Sequence, residues 1–360
     1  MTRWCMINLS HFFFEMSKTI PLIDDFHVHL RQGALMKNVT PLLSSGGCRL
    51  AYVMPNLKPP ITTTDQALEY KRKLVEIAPE IEFIMTLYLN PDLTVEEIHK
   101  AAKAGIKGVK SYPRGVTTNS DGGIESYTVY YPIFEAMQQV GMVLNLHGEI
   151  PSDPESDVCV LNAEAKFLKH LIQLHKDFPK LKIVLEHATS KDAVDVVKSL
   201  GDTVGCTITV HHLELIVDDW AGCCHNFCKP VAKFPRDREA LRNVIKEGHP
   251  RFFLGTDSAP HPRTSKETST AAAGVYTTPY VALYLVSVLE SFGALDKLEG
   301  FASRFGRAFY GFDQPASLKS LELVKKGFEI PKELPYVNDE GSNAAVVPFL
   351  AGKVVAWSKK

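Results

Sequence analysis

Six residues of this chain belong to types that bind metals or move protons, and all six fall at the ends of apolar runs: His27, His29, Lys110, His147, His187 and Asp257. In His27-Val28-His29 the imidazoles are two places apart, the spacing at which an extended strand turns side chains to one side, about 6.6 Å apart along the chain. Two imidazoles so placed can grip one cation, although a lone His-x-His is common and decides nothing by itself. His147 in Leu-Asn-Leu-His-Gly-Glu and His187 in Val-Leu-Glu-His-Ala also end apolar runs, where a buried imidazole needs a polar partner. A metal is the economical partner for all four.

Lys110, in Gly-Val-Lys-Ser-Tyr, is the odd member, because an ammonium at the end of a buried strand is expensive beside a cation. Two readings stay open. The stem snorkels outward or pairs with an acid, or the amine has reacted with carbon dioxide. The resulting carbamate would replace a positive charge by a negative, bidentate oxygen ligand able to bridge two metals. Asp257, in Gly-Thr-Asp-Ser-Ala-Pro-His, can ligate a metal and shuttle a proton. Its alternative role is to cap the turn into the next helix, and the company of four histidines favours catalysis. These nitrogen and oxygen donors suit Zn²⁺ or a similar divalent ion. Two ions about 3.5 to 4 Å apart could hold a bridging hydroxide, bring the pKa of its parent water towards about 7 and polarise a carbonyl, which is hydrolytic chemistry.

The elements that must position these groups are legible as alternation. Short β-branched, apolar runs at 22–29, 50–55, 82–87, 106–111, 142–147, 182–187, 204–210 and 251–257 are separated by stretches of helical period such as 64–77, 94–104, 131–140, 163–177, 191–200 and 236–247. Thr94 and Glu97 stand in capping-box order, and Gly105 follows where a helix C-terminus favours glycine. Eight runs with crossover helices predict a closed (β/α)8 TIM barrel. In that architecture the carboxyl ends of the strands converge on one face, where active sites lie. After the eighth run, 277–292 reads as an apolar helix and the tail 334–357 holds no further βα unit. With no repeat, linker or low-complexity tract, one domain over 22–360 is expected.

Composition narrows the partner. Forty Lys plus Arg against 41 Asp plus Glu leave a formal charge of −1, so there is no electrostatic footprint for nucleic acid, and a small molecule is expected. No apolar run reaches the ~20 residues of a membrane helix. Seven cysteines, an odd number without an extracellular framework, predict a reducing compartment and hence a cytoplasmic protein. Cys223-Cys224-His225 with Cys228 fits no zinc spacing well, and a connecting loop is the expectation. Residues 1–21 are expected to form a poorly ordered extension or to reflect an upstream start, with Met16 as an alternative start; a targeting peptide is the second reading.

His-Val-His-Leu-Arg (27–31), Met-Pro-Asn (54–56), Gly-Val-Lys (108–110), Asn-Leu-His-Gly-Glu (145–149), Glu-His-Ala-Thr (186–189) and Gly-Thr-Asp-Ser-Ala-Pro-His (255–261) follow in this order. The set resembles the dihydroorotase family of the amidohydrolase superfamily, and within it the compact monofunctional class of enteric bacteria and fungi. The resemblance runs from residue 22 to residue 357. It implies the barrel, reversible cyclisation of N-carbamoyl-L-aspartate to L-dihydroorotate in pyrimidine biosynthesis, and a homodimer. It also implies two zinc ions per subunit, one held by His27, His29 and Asp257, the other by His147 and His187, with carboxylated Lys110 and a hydroxide bridging them. Asp257 would be the general base and acid. Substrate contacts are implied for Arg31, Asn56, His261 and Ala273, for Thr117 and Thr118 on a loop that closes over substrate, and for the backbone at Asn226, where the family often has an apolar residue. Arg31 can bind a carboxylate bidentately. Its place two beyond His29 continues the alternation, which speaks against a mere surface role, and Arg31, Asn56 and His261 together distinguish this reading from a hydantoinase or allantoinase, whose uncharged rings need no carboxylate clamp. A barrel that has lost its chemistry is the remaining alternative, and the intact ligand set speaks against it.

Overall fold

A computed structural model of the chain describes residues 16–120, 122–314 and 319–360. Strand β1 (Ser17–Pro21) precedes eight strands, β2 (Ile23–Val28), β3 (Cys48–Val53), β4 (Glu82–Tyr88), β5 (Gly108–Ser111), β6 (Val143–His147), β7 (Ile183–Glu186), β8 (Val204–Ile208) and β9 (Phe252–Leu254). Each of these eight pairs in parallel with the next in sequence, and each lies within one of the eight expected runs or within two residues of it. The sheet curls until its ends meet just beyond β2 and β9. There Val28 bridges Ser258 in parallel, the His29 amide donates to Ser258 O at 3.0 Å, and the Asp257 amide donates to His27 O at 2.9 Å. The seam of the barrel therefore closes on three of the residues singled out for chemistry, His27, His29 and Asp257.

Crossover helices include Thr64–Ile77, Val95–Lys103, Tyr131–Val140, Ala163–Asp177, Lys191–Ser199 and Pro235–Glu247. The expected capping box at Thr94 forms only in half. Thr94 Oγ1 accepts from the Glu97 amide, but the Glu97 carboxylate accepts from the Thr64 amide at 2.5 Å and so ties two helix starts together. A full box forms at Thr63 and Gln66 instead.

The extension expected at 1–21 needs correction over its last residues. Residues 1–15 lie outside the described residues, whereas β1 pairs antiparallel with β10 (Ser320–Val324), and β10 with Ser358–Lys359. Ile20 is buried there and anchors the strand as part of the core. The apolar helix after the barrel is Val281–Ser291, and the tail carries short antiparallel ladders such as Leu334–Val337 against Asn343–Val346 rather than another βα unit.

Two apolar clusters divide the core. The larger lies between strands and helices, and the smaller gathers Phe26, Leu50, Tyr52, Ile84, Val143, Val184 and Phe253 with Phe309 and Tyr310 of the helix Phe305–Tyr310. Phe26 stacks on Tyr310 with centroids 5.2 Å apart and meets Phe253 edge-on at 5.4 Å. Gly306 permits this approach, since a Cβ there would stand 2.2 Å from the Phe26 ring. The barrel is thus plugged with aromatic rings from its amino end.

Candidate active site

Lys110 lies on β5, and His147 ends β6. His29, His187 and Asp257 stand just past the ends of β2, β7 and β9. Their neighbours on the barrel wall bring the six groups together. The ring centroid of His27 is 5.4 Å from that of His29 and 5.0 Å from that of His187, and His187 is 4.8 Å from His147. Asp257 Oδ1 lies 3.0 Å from His29 Nε2 and 3.4 Å from His27 Nε2. The donor atoms of His27, His29 and Asp257 all fall within 4.8 Å of one another, and all three residues are buried.

Regular strand geometry does not achieve this alone. Glu186 Oε2 bonds His27 Nδ1 at 2.8 Å while the next residue, His187, also faces His27. Strict alternation would send consecutive side chains to opposite faces. The chain escapes it at His187, where φ is 42°, and Asp257 and Arg31 adopt φ of 46° and 62°. Left-handed backbone at three non-glycine residues costs of order 1–3 kcal/mol each and clusters at functional sites. Arg31 therefore reaches the site by a turn, and not by continuing the alternation of His27 and His29 as expected.

The histidines are prepared as neutral ligands. Glu186 at Nδ1 fixes the His27 proton there and leaves Nε2 as a buried lone pair with no hydrogen-bond partner, the orientation that ligating histidines take from a carboxylate behind them. His187 Nδ1 is likewise buried and unpartnered, and His147 Nε2 lies 2.9 Å from Glu149. Burial pushes all four imidazoles below their ordinary value, and the Lys110 ammonium pushes the same way. Burial works to raise the Asp257 carboxyl, but the His29 hydrogen bond and the surrounding imidazoles hold it below the usual carboxylate range.

Lys110 is fully buried, and its Nζ makes no hydrogen bond; the Tyr112 ring, 5.1 Å away, is beside it. Burial brings the amine down to about 8, against the pull of Glu186 and Asp257. An orphaned amine among imidazoles and carboxylates is what a group awaiting a covalent or metal partner looks like. The snorkelling alternative is excluded by its burial, and among the described residues no acid bonds its Nζ.

A second set of groups faces this cluster. Arg31 Nε donates to Pro260 O at 2.9 Å, and its Nη2 lies 3.0 Å from His261 Nε2, which is also 3.0 Å from Ala273 O. Burial lowers the guanidinium to about 10 and His261 to about 2, so His261 is neutral and Arg31 carries the charge. Asn56 Nδ2 donates to Thr118 O at 3.1 Å and leaves Oδ1 buried without a partner. Thr118 Oγ1 reaches Ala273 O at 3.4 Å. Thr117, Thr118 and Ala273 line, with His29, Arg31 and Asp257, a small cavity of about 20 Å³. The arrangement offers a cation site beside an anion clamp.

The amidohydrolase family model matches residues 78–194. A dihydroorotase of Mycosarcoma maydis is 54% identical over 94% of this chain and 97% of its own, and a probable dihydroorotase of Schizosaccharomyces pombe is 49% identical over 95% and 98%. The crystal structure of Saccharomyces cerevisiae dihydroorotase in complex with 5-fluoroorotic acid superposes with a TM-score of 0.89 at 44% identity, covering 96% of this chain and 98% of that one. This chain belongs to the dihydroorotase family.

One family-derived assignment is not brought to the site. Asn226 does not line the cavity, and its side chain instead donates to Asp219 O at 2.9 Å, holding the outer part of the loop. Lys229, three residues on, lines the cavity. The crowded cysteines separate as well, with Cys223 exposed, Cys224 half-buried and Cys228 buried, so they form no single site. Sequence reasoning also missed the groups behind the candidate ligands. Glu186 accepts from Asn145 Nδ2 and Thr207 Oγ1, both at 2.6 Å, besides His27. Asp25 accepts from the Thr256 amide at 2.9 Å and from its hydroxyl at 2.6 Å, bracing the seam, and burial raises it to about 7. Glu186 was detectable as an acid inside an apolar run, and Lys229 had no such signal.

Proposed function

We propose that this chain is a zinc-dependent dihydroorotase that interconverts N-carbamoyl-L-aspartate with L-dihydroorotate and water, in the de novo pyrimidine pathway, as a cytoplasmic homodimer. The observation that carries the reading is the buried, unpartnered Lys110 amine set among four neutral imidazoles and the Asp257 carboxylate at the carboxyl end of the barrel. His27, His29 and Asp257 would hold one ion, His147 and His187 the other, and a Lys110 carbamate would serve both. Bound there, the two ions supply an activated water and polarise the ring amide.

The chain's own residues do the rest. Lys110 forms its carbamate when the neutral amine attacks carbon dioxide and loses a proton, and an amine lowered to about 8 provides that neutral form near neutral pH. Asp257 takes a proton from the attacking water on a carboxylate oxygen and delivers it to the leaving ring nitrogen; in cyclisation the same oxygen moves the proton the other way. Arg31 pairs with the carboxylate that both reactants keep, and Asn56 and neutral His261 add hydrogen bonds. The loop at Thr117 and Thr118 excludes water. No described helix is long and apolar enough to cross a membrane. Reversible dihydroorotate hydrolysis, followed with and without a chelator, tests the reading. Turnover abolished by chelation and restored by Zn²⁺ is expected, and turnover indifferent to chelation with no bound metal would end it.

A further inference from the structure

A second group of buried donors lies outside the residues just assigned. His211 and His212 form the turn that follows β8, and Cys228 comes from the loop 223–230. One ligand atom from each falls within 4.8 Å of the others, and all three residues are at most 1% exposed. His211 stands out, since both of its ring nitrogens are buried and neither has a hydrogen-bond partner. In a metal-free protein one of these nitrogens carries a proton with no acceptor and the other a lone pair with no donor, an arrangement that native cores avoid.

The spacing suits a metal. Cys228 Sγ lies 3.4 Å from His212 Nε2. Sulfur at about 2.3 Å and nitrogen at about 2.0–2.1 Å from one tetrahedral zinc stand about 3.5 Å apart. The Pro230 carbonyl oxygen faces the same two atoms, 3.0 Å from His212 Nε2 and 3.2 Å from Cys228 Sγ, and offers a fourth donor. His212 Nδ1 is itself unpartnered, so the ring proton can move there when Nε2 binds.

We propose that His211, His212 and Cys228, completed by the Pro230 carbonyl, form a third, thiolate-containing Zn²⁺ site that pins the loop after β8 to the barrel. Binding displaces the Cys228 thiol proton to solvent and converts the three side chains into ligands. Because Lys229 follows Cys228 and lines the cavity, the ion would set the position of that wall. The proposal is independent of the binuclear reading, whose ligands include no sulfur.

That difference supplies the test. The full chain is produced with Co²⁺ in place of zinc, and its near-ultraviolet spectrum and metal content are measured. A sulfur-to-cobalt charge-transfer band with about three cobalt per chain is expected. Both should persist when the exposed or half-buried Cys159, Cys223 and Cys224 are changed to Ser, while Cys228→Ser removes the band and one cobalt. His211→Gln, which keeps a polar side chain, should weaken the band if Cys228→Ser fails to fold. A cobalt enzyme that hydrolyses dihydroorotate but shows no such band, or a band that survives Cys228→Ser, would overturn the site without touching the assignment of the catalytic one.

Discussion

The two ends of the barrel handle buried charge in opposite ways. At the amino end Asp24 accepts from Arg49 at 2.8 and 2.9 Å, from Arg307 at 2.8 and 3.1 Å and from Ser303 at 2.8 Å, while Arg307 also reaches Glu82 at 2.7 Å. Every oxygen of that carboxylate is answered, and those guanidiniums hold it below its ordinary value even though burial works to raise it. At the carboxyl end Lys110 Nζ, His27 Nε2, His187 Nδ1 and Asn56 Oδ1 are buried and unanswered. Completed polar networks hold a fold together. A cluster of unanswered groups of ligand type, as distinct from a single orphan such as Arg49 Nη1 at the amino end, marks where a ligand belongs.

The comparison can be broken most sharply at Lys110. Lys110→Ala should leave the protein folded, weaken metal binding beyond the ~10–100-fold expected for losing an outer-shell partner, and remove nearly all turnover. Full metal content with normal kcat would show that the amine is merely buried. Asp257→Asn should lower turnover in both directions by about 10²–10⁴-fold, the usual weight of a general acid–base group, and assays of both directions would reveal any asymmetry. Arg31→Met removes one charge-assisted contact worth about 1.5–3 kcal/mol, which corresponds to KM rising about ten- to a hundredfold with kcat changed less. An unchanged KM would remove Arg31 from the clamp.

At the opposite end the signs should exchange. Asp24→Ala leaves two guanidiniums without their shared acceptor, so unfolding free energy should drop by about 3–5 kcal/mol while the activity of the remaining folded enzyme holds. Denaturant melts paired with active-site titration would separate the two effects. A further effect is expected on pH. Burial holds nine imidazoles, those of His27, His29, His147, His170, His187, His211, His212, His249 and His261, below 6.5, and raises three carboxyls, Asp25, Glu164 and Glu186. As pH falls through 6.5 the unfolded chain protonates its imidazoles and the folded chain does not, so the unfolded state binds more protons and stability declines. The raised carboxyls act in the opposite sense and are outnumbered. Metal-free protein should therefore melt at a lower temperature at pH 5 than at pH 7, and a rise on acidification would contradict the burial of neutral histidines.

Much of this site was legible because strands impose a period. His27, His29, Lys110, His147, His187 and Asp257 could be placed from the ends of apolar runs, and the eight runs match the eight strands. Legibility failed where the period stops. Arg31 arrives through a left-handed turn, and nothing in the composition of 223–230 distinguishes Lys229, which lines the cavity, from Asn226, which does not. Glu186 and Asp25 escaped notice because a carboxylate behind a ligand is recognisable only once its imidazole or amide partner is in place across the barrel.

The cavity beneath Thr117 and Thr118 is small, and Thr118 is tied across it to Asn56 and to Ala273. A reactant that displaces this loop must undo and remake the bonds that Asn56 and Ala273 make to Thr118. A rate governed by that latch would fall as solvent viscosity rises, and a compound trapped behind it would owe its residence time to the loop more than to the metals.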